Sequence, residues 1–160
     1  MIFWQCQTTP NISEQNKTFA SMILNNIISI SSVPSQLITG FRRTSETEAV
    51  ISKDVTFTPV EHIKRPAQLV ISDKIENGNR IYTAKLTFQT CVEWMPNPDR
   101  LAFLCRSIDG VYYLIGTDER PYPIVTQQRV HPKDSSESQL TEVSVSYSSP
   151  QICPIIKGFV

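Results

Sequence analysis

Histidine and serine are the residue types in this chain that could support nucleophilic catalysis. A serine nucleophile needs a histidine base within hydrogen-bond reach, and the 160-residue sequence contains two histidines, His62 and His131. No serine lies in the G-x-S-x-G sequence that displays a nucleophile on a sharp turn. Both histidines stand in polar or charged segments, which predicts imidazole rings that face solvent. The sequence therefore favours a protein without enzymatic activity. A small hydrolase, in which His62 or His131 contacts a nucleophile, remains an alternative.

The four cysteines could bind a metal, form disulfides or remain free thiols. Cys6, Cys91, Cys105 and Cys153 include no C-x-x-C pair, and the histidines are distant from them in sequence. This spacing argues against a zinc site. The first residues lack the basic and apolar regions of a secretory signal. We therefore expect free, buried thiols rather than two disulfides.

Acidic residues and glycines give no stronger indication of chemistry. Asp118 and Glu119 could form half of a paired-carboxylate site with Asp99 or Asp109, but a charged turn at the end of a hairpin strand explains them equally well. The five glycines are not clustered, so the chain lacks a phosphate-binding loop and a dinucleotide fingerprint. No loop places three oxygen ligands at alternate positions. We predict no catalytic residues, no cofactor and no metal.

The charge balance argues against nucleic acid as a partner. Fifteen basic and 15 acidic residues leave a formal net charge of zero and a pI near 6.7, whereas nucleic-acid-binding proteins usually present a basic face. A neutral protein lacks long-range self-repulsion, so it tolerates close packing against copies of itself. The apolar-leaning stretch at residues 19–33 is too polar to span a membrane. We expect a protein made in a cytoplasm and used there or elsewhere.

Two turn dipeptides, Asn77-Gly78 and Asp109-Gly110, indicate consecutive β-hairpins. Such dipeptides accept a positive φ at both central positions, which matches the twist of the flanking strands. The strand after Asn77-Gly78 alternates apolar and polar residues, so it is predicted to be half-buried. The second hairpin is apolar on both faces and is predicted to lie between two layers. The flanking runs are residues 68–75 and 80–92 for the first turn, and residues 101–108 and 111–116 for the second.

Further strands complete an antiparallel β-sandwich or small β-barrel. About eight short strands joined by turns, without a repeat or linker, predict a single, mainly β domain over residues 1–160. Residues 19–31 are ambiguous, because their isoleucine spacing suits a short helix whereas their Asn, Ser and Ile content favours extended structure. The additional predicted strands are residues 2–7, 48–57, 124–130 and 140–147.

The two ends of the chain differ from this strand pattern, and residues 10–40 and 148–160 are predicted as arms. The last stretch is apolar and interrupted by proline, so it must be buried on its own domain or on a neighbouring subunit. Tyr122 stands between two prolines that hold it extended, which suits a bend between sheets or an outward contact. The predicted subunit-contact residues are Tyr122, Ile152, Ile155, Ile156 and Phe159.

One part of the chain is similar to known structural proteins. The run LAFLCRSIDGVYYLIGTDERPYPIVT at residues 101–126 leads into SQLTEVSVSY at residues 138–147. This stretch resembles small β-rich neck and tail proteins of phages and prophages of gut Bacteroides-type bacteria. The resemblance rests on a hairpin followed by a Gly-Thr-x-x-x-Pro-Tyr-Pro turn and includes no catalytic motif.

The resemblance implies a subunit of a ring in the neck (head-tail connector) or tail of a virion. Its partners would be copies of itself and other virion proteins, assembled in the cytoplasm of a bacterial host by edge-to-edge sheet pairing and arm exchange. The sequence thus predicts a protein that acts by assembly, with no small-molecule substrate. A carbohydrate- or protein-binding β-sandwich remains an alternative, because clustered aromatic residues could form a ligand surface.

Overall fold

The computed structural model describes residues 27–91, 100–130 and 140–160, and these form two β-sheets. The prediction of a mainly β fold is confirmed, and the described residues form an open sandwich and no closed barrel. A single short 3-10 helix among them covers Ser35–Leu37. The strands are β1 (Ile27–Pro34), β2 (Arg42–Arg43), β3 (Glu48–Ile51), β4 (Thr58–Pro59), β5 (Ile63–Glu76), β6 (Asn79–Thr90), β7 (Leu101–Ser107), β8 (Tyr112–Ile115), β9 (Ile124–Val130), β10 (Leu140–Ser149) and β11 (Ile155–Phe159).

The larger sheet has seven strands in the order β2-β3-β11-β8-β7-β1-β4, and the smaller sheet has four in the order β5-β6-β10-β9. Neighbouring strands are antiparallel, except that β11 runs parallel to β3. The seven-stranded sheet ends in two strands of two residues each. The four-stranded sheet ends in β5, with 14 residues, and β9, with seven.

The main hydrophobic core lies between the two sheets. From the four-stranded sheet, alternate residues such as Leu69, Leu86 and Val145 point inward and are fully buried. From the seven-stranded sheet, Phe103 and Ile115 meet them. The alternation read in the sequence of β6 and β10 is therefore the division between a core face and a solvent face.

The seven-stranded sheet is buried on its second face as well. Leu104 and Leu114 on that face pack with Ile51 and Ile156, and the segments that follow β1 and β3 supply partly buried aromatic residues such as Phe57. This explains why β7 is buried at nearly every position. The prediction that the second hairpin lies between two layers is confirmed.

Both predicted hairpins are present, but only one has the predicted turn. Asn77 and Gly78 have φ values of 51° and 79°, so both central residues are left-handed. In the second hairpin only Gly110 has a positive φ, of 82°. The Gly110 N–H donates to the Ser107 carbonyl oxygen at 3.0 Å, and the Ser107 N–H donates to that of Val111 at 2.9 Å. The connection is thus a three-residue loop with a glycine bulge, and the expectation of two left-handed residues is wrong here.

The ambiguous segment at residues 19–31 is a strand where it is described. Residues 27–31 belong to β1, so the extended alternative holds for them and the helical one does not, and residues 19–26 lie outside the described residues. A register irregularity between Ile27 and Ser29 brings Ile27 and Ile30 into the same core, although they are three residues apart. A β-bulge therefore mimics the spacing of a helical face. In the predicted strand at residues 48–57, only residues 48–51 are a strand, and the predicted strand at residues 2–7 lies outside the described part.

Candidate interaction surfaces

The C-terminal strand β11 lies inside the seven-stranded sheet. It pairs in parallel with β3, where Ile156 faces Ala49, and antiparallel with β8, where Ile156 faces Tyr112. Ile156 is 5% exposed, and Ile155 is half-buried against the main core. Of the two alternatives for the apolar terminus, the fold shows docking on its own domain. These two predicted contact residues are therefore largely occupied within the chain.

Of the other predicted contact residues, Phe159 is the exposed one, and Ile152 and Tyr122 are half-buried. Phe159 is 44% exposed and packs edge-on against Tyr112, with ring centroids 6.1 Å apart. Ile152 is half-buried, and its carbonyl oxygen accepts a hydrogen bond of 2.9 Å from the Arg43 guanidinium. The fold thus separates the five predicted contact residues, because Tyr122 lies in a different connection, between β8 and β9.

Tyr122 marks the crossing of the chain from one sheet to the other. Its hydroxyl donates to the Asp118 carbonyl oxygen at 3.4 Å, and the Arg100 guanidinium carbon lies 5.5 Å from the centre of its ring. The ring is half-buried, and the neighbouring Pro123 is buried. The two prolines therefore shape a bend between sheets, which is one of the two readings of this turn.

The outer face of the four-stranded sheet is mainly polar, with Val70 and Ile124 as exposed apolar residues. Its residues form cross-strand rows, of which one is Gln89, Glu142 and Gln128 and the next is Thr87, Ser144 and Thr126. The Gln89 amide donates to the Glu142 carboxylate at 3.2 Å. Hydroxyl and carboxamide groups offer both donors and acceptors, so this face suits a neutral polar partner.

A shallow cavity of about 370 Å³ lies on these two rows. It spans β6, β10 and β9, and therefore opens beside the outer edge of the sheet at β9. Its size falls in the range of ligand pockets, although the described lining includes no aromatic residue other than Phe88, which points into the core. The sequence reasoning missed this surface, because a run of Thr, Gln and Ser residues also describes any solvent-facing half of a strand.

The end of the β5–β6 hairpin projects from the domain. Every residue from Ser72 to Arg80 is exposed, on both faces of the hairpin, and Ile75 is 67% exposed. Arg80 pairs with Asp73 across the hairpin. The sequence carried a signal that was missed, since the apolar alternation ends after Ile71 and charged residues then occupy both faces.

The candidate catalytic residues do not come together in the described part of the chain. The Nδ1 atom of His62 lies 3.0 Å from the Val60 carbonyl oxygen, and its buried Nε2 has no hydrogen-bond partner within the described part of the chain. The ring packs edge-on against Phe88 at 6.0 Å, so the expectation that it faces solvent is wrong. His131 and Asp99 lie outside the described residues. No nucleophile of the described chain meets the His62 Nε2, and Asp118 and Glu119 are exposed in the turn after β8.

Two of the four cysteines match the prediction of free, buried thiols, and one does not. Cys105 and Cys153 are free and buried. Burial raises the pKa of Cys153 from 9.0 to about 12, against an opposing effect of Arg43. The pKa of Cys105 is also raised, by burial and then by Cys153, and burial raises the pKa of Tyr113. Raised pKa values leave these thiols protonated and unreactive at neutral pH.

Cys91, immediately after β6, is disulfide-bonded, so the prediction of free, buried thiols is wrong for this residue. The spacing of cysteines along the chain does not reveal which of them the fold brings within bonding distance. Cys6 lies outside the described residues.

Neither a metal centre nor a membrane-spanning helix is found in the described part of the chain. Among residues 27–91, 100–130 and 140–160, no three His, Cys, Asp or Glu side chains converge to hold a metal ion. No helix in these ranges is long and apolar enough to cross a membrane. Comparison with protein-family models, with curated proteins and with solved structures finds no significant match to this chain.

Proposed function

We propose that this chain is a structural subunit of a bacteriophage virion, present in a ring of the neck (head-tail connector) or tail. It acts by assembly with copies of itself and with other virion proteins, and it has no enzymatic activity. It is assembled in the cytoplasm of the bacterial host and resides in the virion. The observation that carries this proposal is the contrast between the edges of the two sheets.

The outer strands of the seven-stranded sheet, β2 and β4, have two residues each and so offer few backbone groups to another chain. Very short edge strands are one of the means by which proteins prevent unwanted strand pairing. The four-stranded sheet instead ends in the longer strands β5 and β9, and within the described residues no strand pairs with their outer edges. Backbone groups on the outer edge of a sheet can pair with a strand of another chain.

Two further features support assembly. The stretch that resembles phage neck and tail proteins, residues 101–126 and 138–147, supplies strands β7 to β10 and so contributes to both sheets. The zero net charge permits many copies to approach without mutual repulsion. These features favour a protein whose surfaces, rather than any reactive group, carry its function.

Sedimentation velocity of the purified chain over a wide range of concentrations tests the proposal. We expect a defined oligomer, and closed rings in electron micrographs of the same sample. Lysine substitutions on the two open edges, Val70→Lys and Ile124→Lys, should weaken association at least tenfold. Ile108→Lys is the matched control, because Ile108 is 61% exposed but lies in the turn after β7, which belongs to the other sheet. A wild-type protein that remains monomeric at every concentration contradicts the proposal.

The cavity on the four-stranded sheet favours a second function, a carbohydrate- or protein-binding module. Its neutral hydroxyl and carboxamide lining suits a polyhydroxylated ligand. Such a module predicts a monomer whose amide resonances at Thr87 and Ser144 shift on addition of a glycan. Saturable shifts in a monomeric protein would favour this function over assembly.

A further inference from the structure

We propose that the projecting β5–β6 hairpin of one copy inserts its end into the cavity on the four-stranded sheet of a second copy. The hairpin end comprises Ser72–Arg80, and the cavity is formed by Thr87, Gln89, Thr126, Gln128, Glu142 and Ser144. This inference rests on the proposed function and names the two surfaces that meet.

Both faces of the hairpin end are exposed. None of its nine residues is buried, so neither face packs on its own domain. A two-stranded hairpin that lacks such packing is marginally stable in water. Ile75 nevertheless places a large apolar side chain near the turn, with 67% of its surface exposed. Contact of the hairpin end with another molecule would remove this apolar surface from water, which is favourable.

The distance within one copy excludes an intramolecular contact. Thr87 lies nine residues along β6 from Gly78, and at roughly 3.4 Å per residue this places the cavity about 30 Å from the turn. Both features belong to the same sheet and lie toward its opposite ends. Only a second copy can therefore bring a hairpin end to this cavity.

The two surfaces are matched in chemistry. The hairpin end carries Asp73, Lys74, Glu76 and Arg80, which balance in charge and form two ion pairs, Arg80 with Asp73 and Lys74 with Glu76. Asn77 and Asn79 add carboxamides. The cavity presents mainly uncharged donors and acceptors with one carboxylate, Glu142, so contact requires little desolvation of unpaired charge. The methyl groups of Thr87 and Thr126 provide apolar surface for Ile75.

The arrangement also determines how copies can associate. The hairpin end and the cavity are different surfaces, so their contact is heterologous, and repeated head-to-tail contacts close into a ring or extend as a filament. The cavity lies on β6, β10 and the outer strand β9, so the hairpin of the next copy reaches it from the β9 side of the sheet.

Cysteine cross-linking tests the contact directly. The double variant Ile75→Cys with Ser144→Cys, oxidised with copper phenanthroline, should give a ladder of covalent multimers on a non-reducing gel. A mixture of the two single variants should give only covalent dimers, and each single variant alone should give no such product. The matched control is Ile108→Cys with Ser144→Cys, because Ile108 is similarly exposed on a different hairpin.

A second measurement tests the contact if a cross-linking variant fails to fold. Ile75→Asp should weaken association at least tenfold in sedimentation, whereas Ile108→Asp should change it less than twofold. Absence of the ladder in a protein whose wild type is oligomeric overturns this inference and leaves the proposed function standing. A monomeric wild type overturns both. If the amide resonance of Ser144 shifts on addition of maltohexaose, and association of the copies does not weaken this binding, the inference is overturned and the cavity is assigned to a glycan.

Discussion

Gly116 and Pro123 are in such close contact that a Cβ atom on Gly116 would lie 2.7 Å from the Cγ atom of the proline. Gly116 directly follows β8 in the seven-stranded sheet, and Pro123 directly precedes β9 in the four-stranded sheet. The two residues therefore close the bend by which the chain passes from one sheet to the other. Gly116 also has a φ of +91°, which L-residues with a side chain rarely adopt.

Gly116→Ala is expected to destabilise the fold by at least about 2 kcal/mol, because it combines backbone strain with a steric clash. Gly78→Ala meets the strain alone, since no atom lies within 4 Å of its added Cβ, and should cost about 1 kcal/mol. Gly158→Ala has neither a positive φ nor a close contact, as its nearest neighbour is Val50 Cγ1 at 3.7 Å, and should change stability by less than about 0.5 kcal/mol. Urea unfolding measures all three. An equal loss for Gly116→Ala and Gly158→Ala would contradict the role of the Pro123 contact.

Ser35 and Ser149 are two buried serines whose replacement by alanine is expected to change the free energy of unfolding in opposite directions. Ser35 is 1% exposed, and its Oγ has no hydrogen-bond partner among the described residues. Ser149 is 8% exposed, and its Oγ accepts a hydrogen bond from the Gln151 N–H at 3.2 Å. Ser35→Ala removes a desolvated group and should raise the free energy of unfolding by about 1 kcal/mol, whereas Ser149→Ala should lower it by about 1 kcal/mol. Chemical denaturation of both variants checks the signs, and a loss of stability in Ser35→Ala would disprove that its hydroxyl is unsatisfied.

The extent to which this structure follows from the sequence depends on how local each feature is. Asn77-Gly78 specifies its turn by backbone preference alone, and the alternation along β6 specifies which residues face the core. By contrast, the spacing of Ile27 and Ile30 is misleading, because a bulge places both in the core. A bulge depends on pairing with β7, more than 70 residues further along the chain, and such pairing leaves no local trace in the sequence.

The surfaces were less predictable than the fold for a related reason. The apolar content of the C-terminal segment correctly required burial, but the position of β11 between β3 and β8 arises from two non-local pairings. The projecting hairpin and the cavity depend on where the body of the domain ends, which the period of a single strand does not encode. Ile75 lies on the same side of β5 as Leu69 and Ile71, but beyond the end of the core that these two residues contact.

The stability of the fold is expected to fall as the pH rises above about 9. Cys153 has a pKa raised from 9.0 to about 12, and that of Cys105 is raised in the same direction. Above pH 9 the unfolded chain loses thiol protons that the folded chain keeps, so each thiol lowers the free energy of unfolding by about 1.4 kcal/mol per pH unit. The stability that each protonated thiol contributes is fully present below pH 9 and is lost progressively as the pH rises toward the pKa of that thiol in the folded protein.

Urea unfolding at pH 8, 9 and 10 measures this dependence. Cys105→Ala and Cys153→Ala each remove one titrating group, so each variant should show a shallower decline than the wild type above pH 9. Cys91 does not contribute, because it is disulfide-bonded. A wild-type stability that is constant from pH 8 to 10, or an equal decline in both variants and the wild type, would show that buried thiols do not control this range.

Ile156 and Lys157 distinguish an integral C-terminal strand from a detachable arm. Ile156 is 5% exposed and packs with Leu104 and Leu114 on the second face of the seven-stranded sheet. Ile156→Ala should therefore cost about 2–4 kcal/mol of stability through the cavity it leaves. Lys157→Ala is the control. Its side chain is exposed and makes one surface ion pair, with Glu48 at 3.6 Å, so its loss should cost less than about 0.5 kcal/mol.

Measuring the stability of both variants at several protein concentrations separates the two cases. If β11 docks within its own chain, the loss of stability in Ile156→Ala is independent of concentration. A loss that diminishes as concentration rises would indicate that the strand is supplied by a neighbouring copy.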